Sequence, residues 1–198
     1  MNSDYAMVFF DVEYTGVHQF TSLVSIGMAT LEGEELLVTF RDFDQKQVTP
    51  WLAENVLPLL DQSNSVSYLD GLNQIESFLE SYAAGRRICM VSAGKSLDLT
   101  LLFELWHTRH PELEYFHCMH YLPDMLNHLG HFDLNTMFAL MGVEPPSDRE
   151  PFVGRVTGSS RHEALHDARI VRECYLKMAE DGLLDRALPW MRPEIGKD

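Results

Sequence analysis

The sequence predicts a mixed α/β domain, and three observations carry that expectation. Short apolar, β-prone runs crowd the N-terminal part of the chain. Beyond them, helical periodicities alternate with a further buried run. Apolar residues make up 45% of 198, enough for a substantial core in one domain spanning 1–198.

Residues 6–12 (AMVFFDV) are the first strand candidate, and 23–31 and 35–40 are two more. Glu32-Gly33-Glu34 between the last two is a turn signal, so the three suggest an antiparallel meander. Thr49-Pro50 opens a helix, with Thr as N-cap and Pro at the first helical position, and Pro58 ends or kinks it. Leu72, Ile75, Phe78, Leu79 and Tyr82 recur at helical spacing, and Gly85 follows as a stop. Residues 87–92 (RICMVS) read as a buried strand. Asp98 opens the next helix, which puts Leu101, Leu102, Leu105 and Trp106 on one stripe. Residues 115–122, rich in aromatics and His, are a further strand candidate. Residues 132–141 read as a helix with Gly142 at its C-terminus. The Pro-, Gly- and Ser-rich stretch 143–160 reads as a long mobile loop, and 161–181 as the last long helix, stopped by Gly182.

Composition excludes several classes. No apolar run approaches a membrane span. The opening residues lack a positive n-region, so a cytoplasmic protein without a secretory signal is the expectation. Cys89, Cys118 and Cys174 are odd in number and widely spaced, which argues against a disulfide framework or a cysteine zinc knuckle. Thirty acidic against 15 basic residues give a net charge of −15, unlike a protein that binds duplex by counterion release. Acidity does not exclude nucleic acid, because a site holding divalent cations brings its own positive charge to a phosphate.

Three stretches bear chemistry. In FFDVEYTG, Asp11 and Glu13 stand two apart at the end of an apolar strand, so both carboxylates share one face. Beside a core, such a pair needs a cation or solvent; the plainer account is a frayed strand end in water. SAGKSLD resembles the tail of a phosphate-binding loop, but the glycine required five residues before Gly94 is replaced by Cys89. Its useful residue is Asp98, unless that is only a carboxylate favoured at a helix start.

Residues 161–169 (RHEALHDAR) admit two readings. His162-Glu163-x-x-His166 spells the H-E-x-x-H pattern of a zinc protease. Its third ligand would have to be Glu180 or Glu194, neither in a recognisable motif, and Asp11, Glu13 and Asp98 would go unused. Alternatively, His162 and Asp167 act together. Their separation of five aims them differently on a helix. That suits a carboxylate facing a metal and a base carried by the adjoining Gly158-Ser159-Ser160 loop. A surface His, with Asp167 paired to Arg161 or Arg169, is the non-functional version. Asp11, Glu13, Asp98 and Asp167 converging without cations would cost several kcal/mol in mutual repulsion. Hard oxygen ligands select Mg²⁺ or Mn²⁺ over zinc.

FFDVEYTG, the LD of SAGKSLDLTLLFEL, and RHEALHDAR together resemble the three motifs of the DEDDh 3′–5′ exonucleases, the superfamily of RNase T, oligoribonuclease and polymerase proofreading subunits. Order and spacing match over nearly the whole chain, and TPWLAENVLPLL resembles a segment of the small bacterial exoribonuclease branch. The resemblance implies a ribonuclease H-like fold with a mixed five-stranded sheet flanked by helices. It implies that Asp11, Glu13, Asp98 and Asp167 hold two Mg²⁺ or Mn²⁺ ions, with His162 as general base. A histidine's reference pKa of about 6.5 suits that role. Tyr14, Thr15 and Gly16 would line the 3′-terminal nucleotide. The implied substrates are 3′ ends of single-stranded RNA or DNA, RNA first, releasing nucleoside 5′-monophosphates. Several members act as dimers, so a homodimer is part of the expectation. A non-catalytic binding module of the same fold is the rival. Many relatives carry His-Asn where this chain has Ala93 and Gly94, a departure that bears on contacts to the terminal nucleotide.

Overall fold

The structure is a computed structural model that describes residues 5–93, 96–126, 131–146, 148–154 and 162–186. Its centre is a five-stranded sheet in the order β3-β2-β1-β4-β5. The strands are β1 (Tyr5–Tyr14), β2 (Leu23–Thr30), β3 (Glu35–Thr39), β4 (Arg87–Ser92) and β5 (Phe132–Asp133). β1, β2 and β3 form the expected antiparallel meander, while β4 pairs parallel to β1 and β5 parallel to β4. The sheet is mixed, as predicted.

Alternation along β1 builds two layers. Ala6, Val8, Phe10 and Val12 point to one side, where they pack with Leu72, Ile75 and Leu79 of α2 (Tyr68–Ala83) and Leu101 and Leu102 of α3 (Ser96–Glu104). Met7 and Phe9 point to the other, against Leu134 and Phe138 of α5 (Leu134–Leu140) and Ile170, Val171, Tyr175 and Met178 of α7 (Ala164–Glu180). Each such side chain stabilises the fold by about 1.5–3 kcal/mol when fully buried. Asp11 and Glu13 share the parity of Met7 and Phe9, so the strand delivers both carboxylates to the face that α7 covers.

Helix α7 reaches the sheet because of a glycine. Gly27 of β2 lies opposite Asp11 in the ladder. A Cβ there would fall inside the backbone of Ala164 and Leu165, far within van der Waals contact. Hydrogen at this position lets the first turn of α7 lie directly on β2, next to Asp11. Two arginines secure the approach. Arg169 donates through Nε and Nη2 to the two Glu35 carboxylate oxygens, each at 2.7 Å, and holds that carboxyl below its usual range. Arg172 donates to the carbonyls of Thr30 and Leu31.

α1 (Pro50–Asn55) starts as expected, with the Thr49 hydroxyl accepting from the Leu52 N–H at 3.2 Å. Four expectations need correction. Residues 115–122 hold no strand; they contain a short helix, α4 (Cys118–Tyr121), whose Tyr121 ring stacks with that of Phe116. Residues 132–141 are not all helix, since Phe132–Asp133 pair with β4 before α5 begins. The stretch 143–160 is not uniformly a loop, because α6 (Glu150–Val153) interrupts it; 155–160, with Gly158-Ser159-Ser160, lie outside the described residues. The last helix begins at Ala164, three residues later than read. Gly94, Arg161 and Glu194 also lie outside the described residues. Among the described residues no helix is long and apolar enough to cross a membrane.

Candidate active site

The site sits where the C-terminal ends of β1 and β4 meet the first turn of α7. Because these two strands are parallel, their ends open on one edge of the sheet, the position where α/β sheets present ligand sites. Asp11 and Glu13 come from the end of β1. Asp98 comes from the first turn of α3, just past β4, and is 4% exposed. Asp167 comes from the first turn of α7, where the helix dipole favours a carboxylate.

These side chains converge. Glu13, His162 and Asp167 each offer a ligand atom within 4.8 Å of the others. Asp11 and Asp98 fall outside that tight trio, but Asp11 is bound to it electrostatically. Burial holds the Asp11 carboxyl well above the ordinary range, and the charges of Asp167, Asp98 and Glu13 add to the effect, with Arg149 opposing. Asp11 therefore lies in the field of all three other acids. Asp167 is also raised, first by burial; the charges of His166 and His162 and the His162 backbone N–H work against this. Asp11, His162 and Asp167 line one cleft of about 240 Å³, together with Ala93, Asp148, Arg149 and Glu150.

His162 is not in the first turn of the helix. It precedes α7 with φ of +70°, a left-handed conformation uncommon for a non-glycine residue and found most often at functional sites. That backbone turns its ring back toward Glu13 and Asp167. The exposed indole of Trp51, on α1, meets the imidazole at 5.1 Å between centroids and 81° between planes, an edge-to-face contact.

The same geometry removes the H-E-x-x-H reading. His162 and His166 do not stand on one helical face, because the first lies outside the helix. His166 is 1% exposed, and its Nε2 lies 3.1 Å from Glu150 Oε1. Among the described residues the cluster fit for a metal contains neither His166 nor Glu163. Pairing of Asp167 with Arg169 fails as well, since Arg169 is engaged by Glu35.

Of the residues expected to line a nucleotide, Thr15 turns inward. It is 3% exposed, and its hydroxyl accepts from the Ser22 N–H at 2.9 Å and bonds Gln47. Thr15 thus closes the 15–22 loop and presents no side chain to a ligand. Tyr14 and Gly16 remain partly exposed at the strand end.

Sequence reasoning missed Trp51, Arg149 and Glu150 as parts of this site, and took up His166 only as a zinc ligand. Only His166 carried a local signal, through the motif it falsely completed. Glu150 is the sole polar partner of the buried His166 ring among the described residues, since Nδ1 has none. Glu150→Ala is therefore expected to leave both ring nitrogens unpaired and to destabilise the fold by about 1–3 kcal/mol. Urea unfolding checks it: a midpoint equal to wild type would show that the pair contributes nothing.

No family model matches this sequence, and no curated protein sequence matches it. The class is defined by shape: a ribonuclease H-like domain, a mixed five-stranded sheet flanked by helices, shared with two solved structures. A 3′-exonuclease solved at full length superposes with a TM-score of 0.65 at 11% identity, over 98% of this chain and 91% of that one. Pop2p of S. pombe, solved with Mg²⁺ and Mn²⁺ bound, superposes with a TM-score of 0.59 at 11% identity, over 91% and 83%. At such identity the likeness establishes the fold and leaves activity to the site.

Proposed function

We propose that this chain is a metal-dependent 3′–5′ exonuclease that hydrolyses the 3′-terminal phosphodiester of single-stranded nucleic acid, RNA first, and releases nucleoside 5′-monophosphates. The observation that carries the reading is the convergence of four carboxylates around the partly buried Asp11. A set of acids that repel one another in a partly desolvated cleft fits hard divalent cations, because oxygen donors and charge neutralisation are what Mg²⁺ and Mn²⁺ require. The Mg²⁺- and Mn²⁺-bound form of Pop2p supports the same choice.

Asp11, Glu13, Asp98 and Asp167 would hold the cations. Bound there, two such ions supply Lewis acidity, making water a nucleophile near neutral pH and offsetting charge on the leaving 3′ oxygen. The chain's own residues do the rest. His162, beside Glu13 and Asp167, takes the proton from the attacking water. Trp51 limits the swing of that imidazole. Tyr14 and Gly16 border the position of the terminal nucleotide. The cleft is small, about 240 Å³, which favours an unpaired chain end over a duplex.

His162→Ala is expected to lower kcat by about 10²–10⁴-fold while leaving divalent-ion affinity within a few-fold of wild type. An end-labelled single-stranded oligonucleotide assay in Mg²⁺, RNA beside DNA, reads the first quantity and calorimetry the second. Stepwise shortening of 5′-labelled substrate establishes polarity. Absence of cleavage by the wild-type protein with every divalent ion would leave the binding-module rival standing.

A further inference from the structure

Among the described residues the one Lys or Arg in the wall of the acidic cleft is Arg149. In a chain with twice as many acids as bases, a guanidinium among Asp11, Asp148, Glu150 and Asp167 would be expected to pair with one of them. Among the described residues it pairs with none. Its Nη2 instead donates to the neutral side-chain oxygen of Asn135, on α5, at 2.9 Å. Its Nε is buried and has no acceptor. Asn135 fixes one arm of a rigid fork, and a charged donor is left unsatisfied beside the carboxylates.

The surrounding segment holds the arginine in place. Arg149 immediately precedes α6, and the next residue, Glu150, is tied to His166 at the start of α7. Contacts to Asn135 and His166 thus hold the segment at two successive residues, Arg149 and Glu150. The short α6 and its clamp keep the guanidinium facing a cluster that, with cations bound, would attract an anion. A planar, always-charged fork is suited to phosphate oxygens.

We infer that Arg149 is a phosphate-binding residue of this site, donating to a non-bridging oxygen of the 3′-terminal phosphodiester and, after cleavage, to the 5′-phosphate of the released nucleotide. The inference rests on the nuclease reading above and adds a substrate contact that the acidic motifs do not include. It distinguishes Arg149 from a mere counter-ion to the acids, which would matter only while cations are absent.

The test measures binding of adenosine 5′-monophosphate and of adenosine by calorimetry at saturating Mg²⁺, for wild type, Arg149→Gln and Arg149→Lys. Arg149→Gln is expected to weaken the monophosphate by about 10- to 100-fold and leave adenosine unchanged. Arg149→Lys, which keeps the charge without the fork, falls between. On a single-stranded oligonucleotide, kcat/KM of Arg149→Gln drops by a similar factor. Equal monophosphate affinity in wild type and variants overturns the inference, whatever their thermal stability. If Arg149→Gln does not fold, Arg149→Lys decides alone: an affinity equal to wild type overturns it, and a partial loss supports it. A wild-type protein that binds the monophosphate through Arg149 yet cleaves nothing would instead refute the nuclease reading, so the two failures are separable.

Discussion

Asp11→Asn is expected to abolish metal-dependent release of 5′-mononucleotides while making the metal-free protein more stable. Both effects have one origin. The folded protein raises the Asp11 carboxyl well above its ordinary value of 3.8, first by burial and then through Asp167, Asp98 and Glu13. The folded state therefore keeps a proton that the unfolded chain has already released. From pH 3.8 up to the raised value, stability falls as pH rises, and above it the whole penalty persists. Asparagine removes that charge, so the variant's stability is flatter across this window and its Tm at neutral pH without metal exceeds that of wild type. Saturating Mg²⁺ or Mn²⁺ is expected to reverse the order, raising the wild-type Tm by mass action and the variant's much less. Activity shows the opposite balance. Several kcal/mol of transition-state charge stabilisation depends on the cations that Asp11 would help hold, so the rate should fall by about 10³-fold or more. Thermal melts with and without metal, run beside the oligonucleotide assay, check both. A variant with full activity would remove Asp11 from the site. A metal-free variant less stable than wild type would contradict the electrostatic account.

Gly27→Ala is expected to be the most damaging substitution outside the charged cluster. The added methyl would occupy the backbone of Ala164 and Leu165, which cannot rotate away as a side chain could. Helix α7 must lift from the sheet. Overpacking typically costs about 1–3 kcal/mol, and an obstacle made of backbone places this case at the top of that range. The functional loss exceeds what stability explains, because α7 carries Asp167 and is preceded by His162. A displacement of about 1 Å at a reacting centre costs about 10²-fold in rate. Urea unfolding and divalent-ion affinity measured on the same preparation separate the two effects. If Gly27→Ala unfolds like wild type and binds Mn²⁺ equally well, the close approach of α7 to β2 does not hold the site together.

Local chemistry explains which parts of this molecule were legible in the sequence. The parity of β1 follows from the period of two, so the shared face of Asp11 and Glu13 could be read from FFDVE alone. The Thr49-Pro50 helix start and the glycine stops at Gly85, Gly142 and Gly182, all at positive φ, follow from backbone preferences equally local. β5 is not legible as a strand because two residues carry no periodicity. The α4 segment reads as a strand because the aromatics in and before it resemble strand residues, while the Phe116–Tyr121 stacking is a tertiary event. The late start of α7 turns on one residue, His162, whose positive φ no helix propensity announces. Arg149 and Trp51 enter the site only through contacts between distant segments. Gly27 does leave a trace: a glycine inside a largely apolar strand marks a close backbone approach.

Anomalous diffraction from crystals grown in Mn²⁺ tests the central claim most directly. The expected map has two strong peaks in the cleft, with carboxylate oxygens of Asp11, Glu13, Asp98 and Asp167 turned toward them and the His162 ring close by but facing the open side. A map without peaks there, or with manganese held elsewhere while these four carboxylates point apart into solvent, would contradict it.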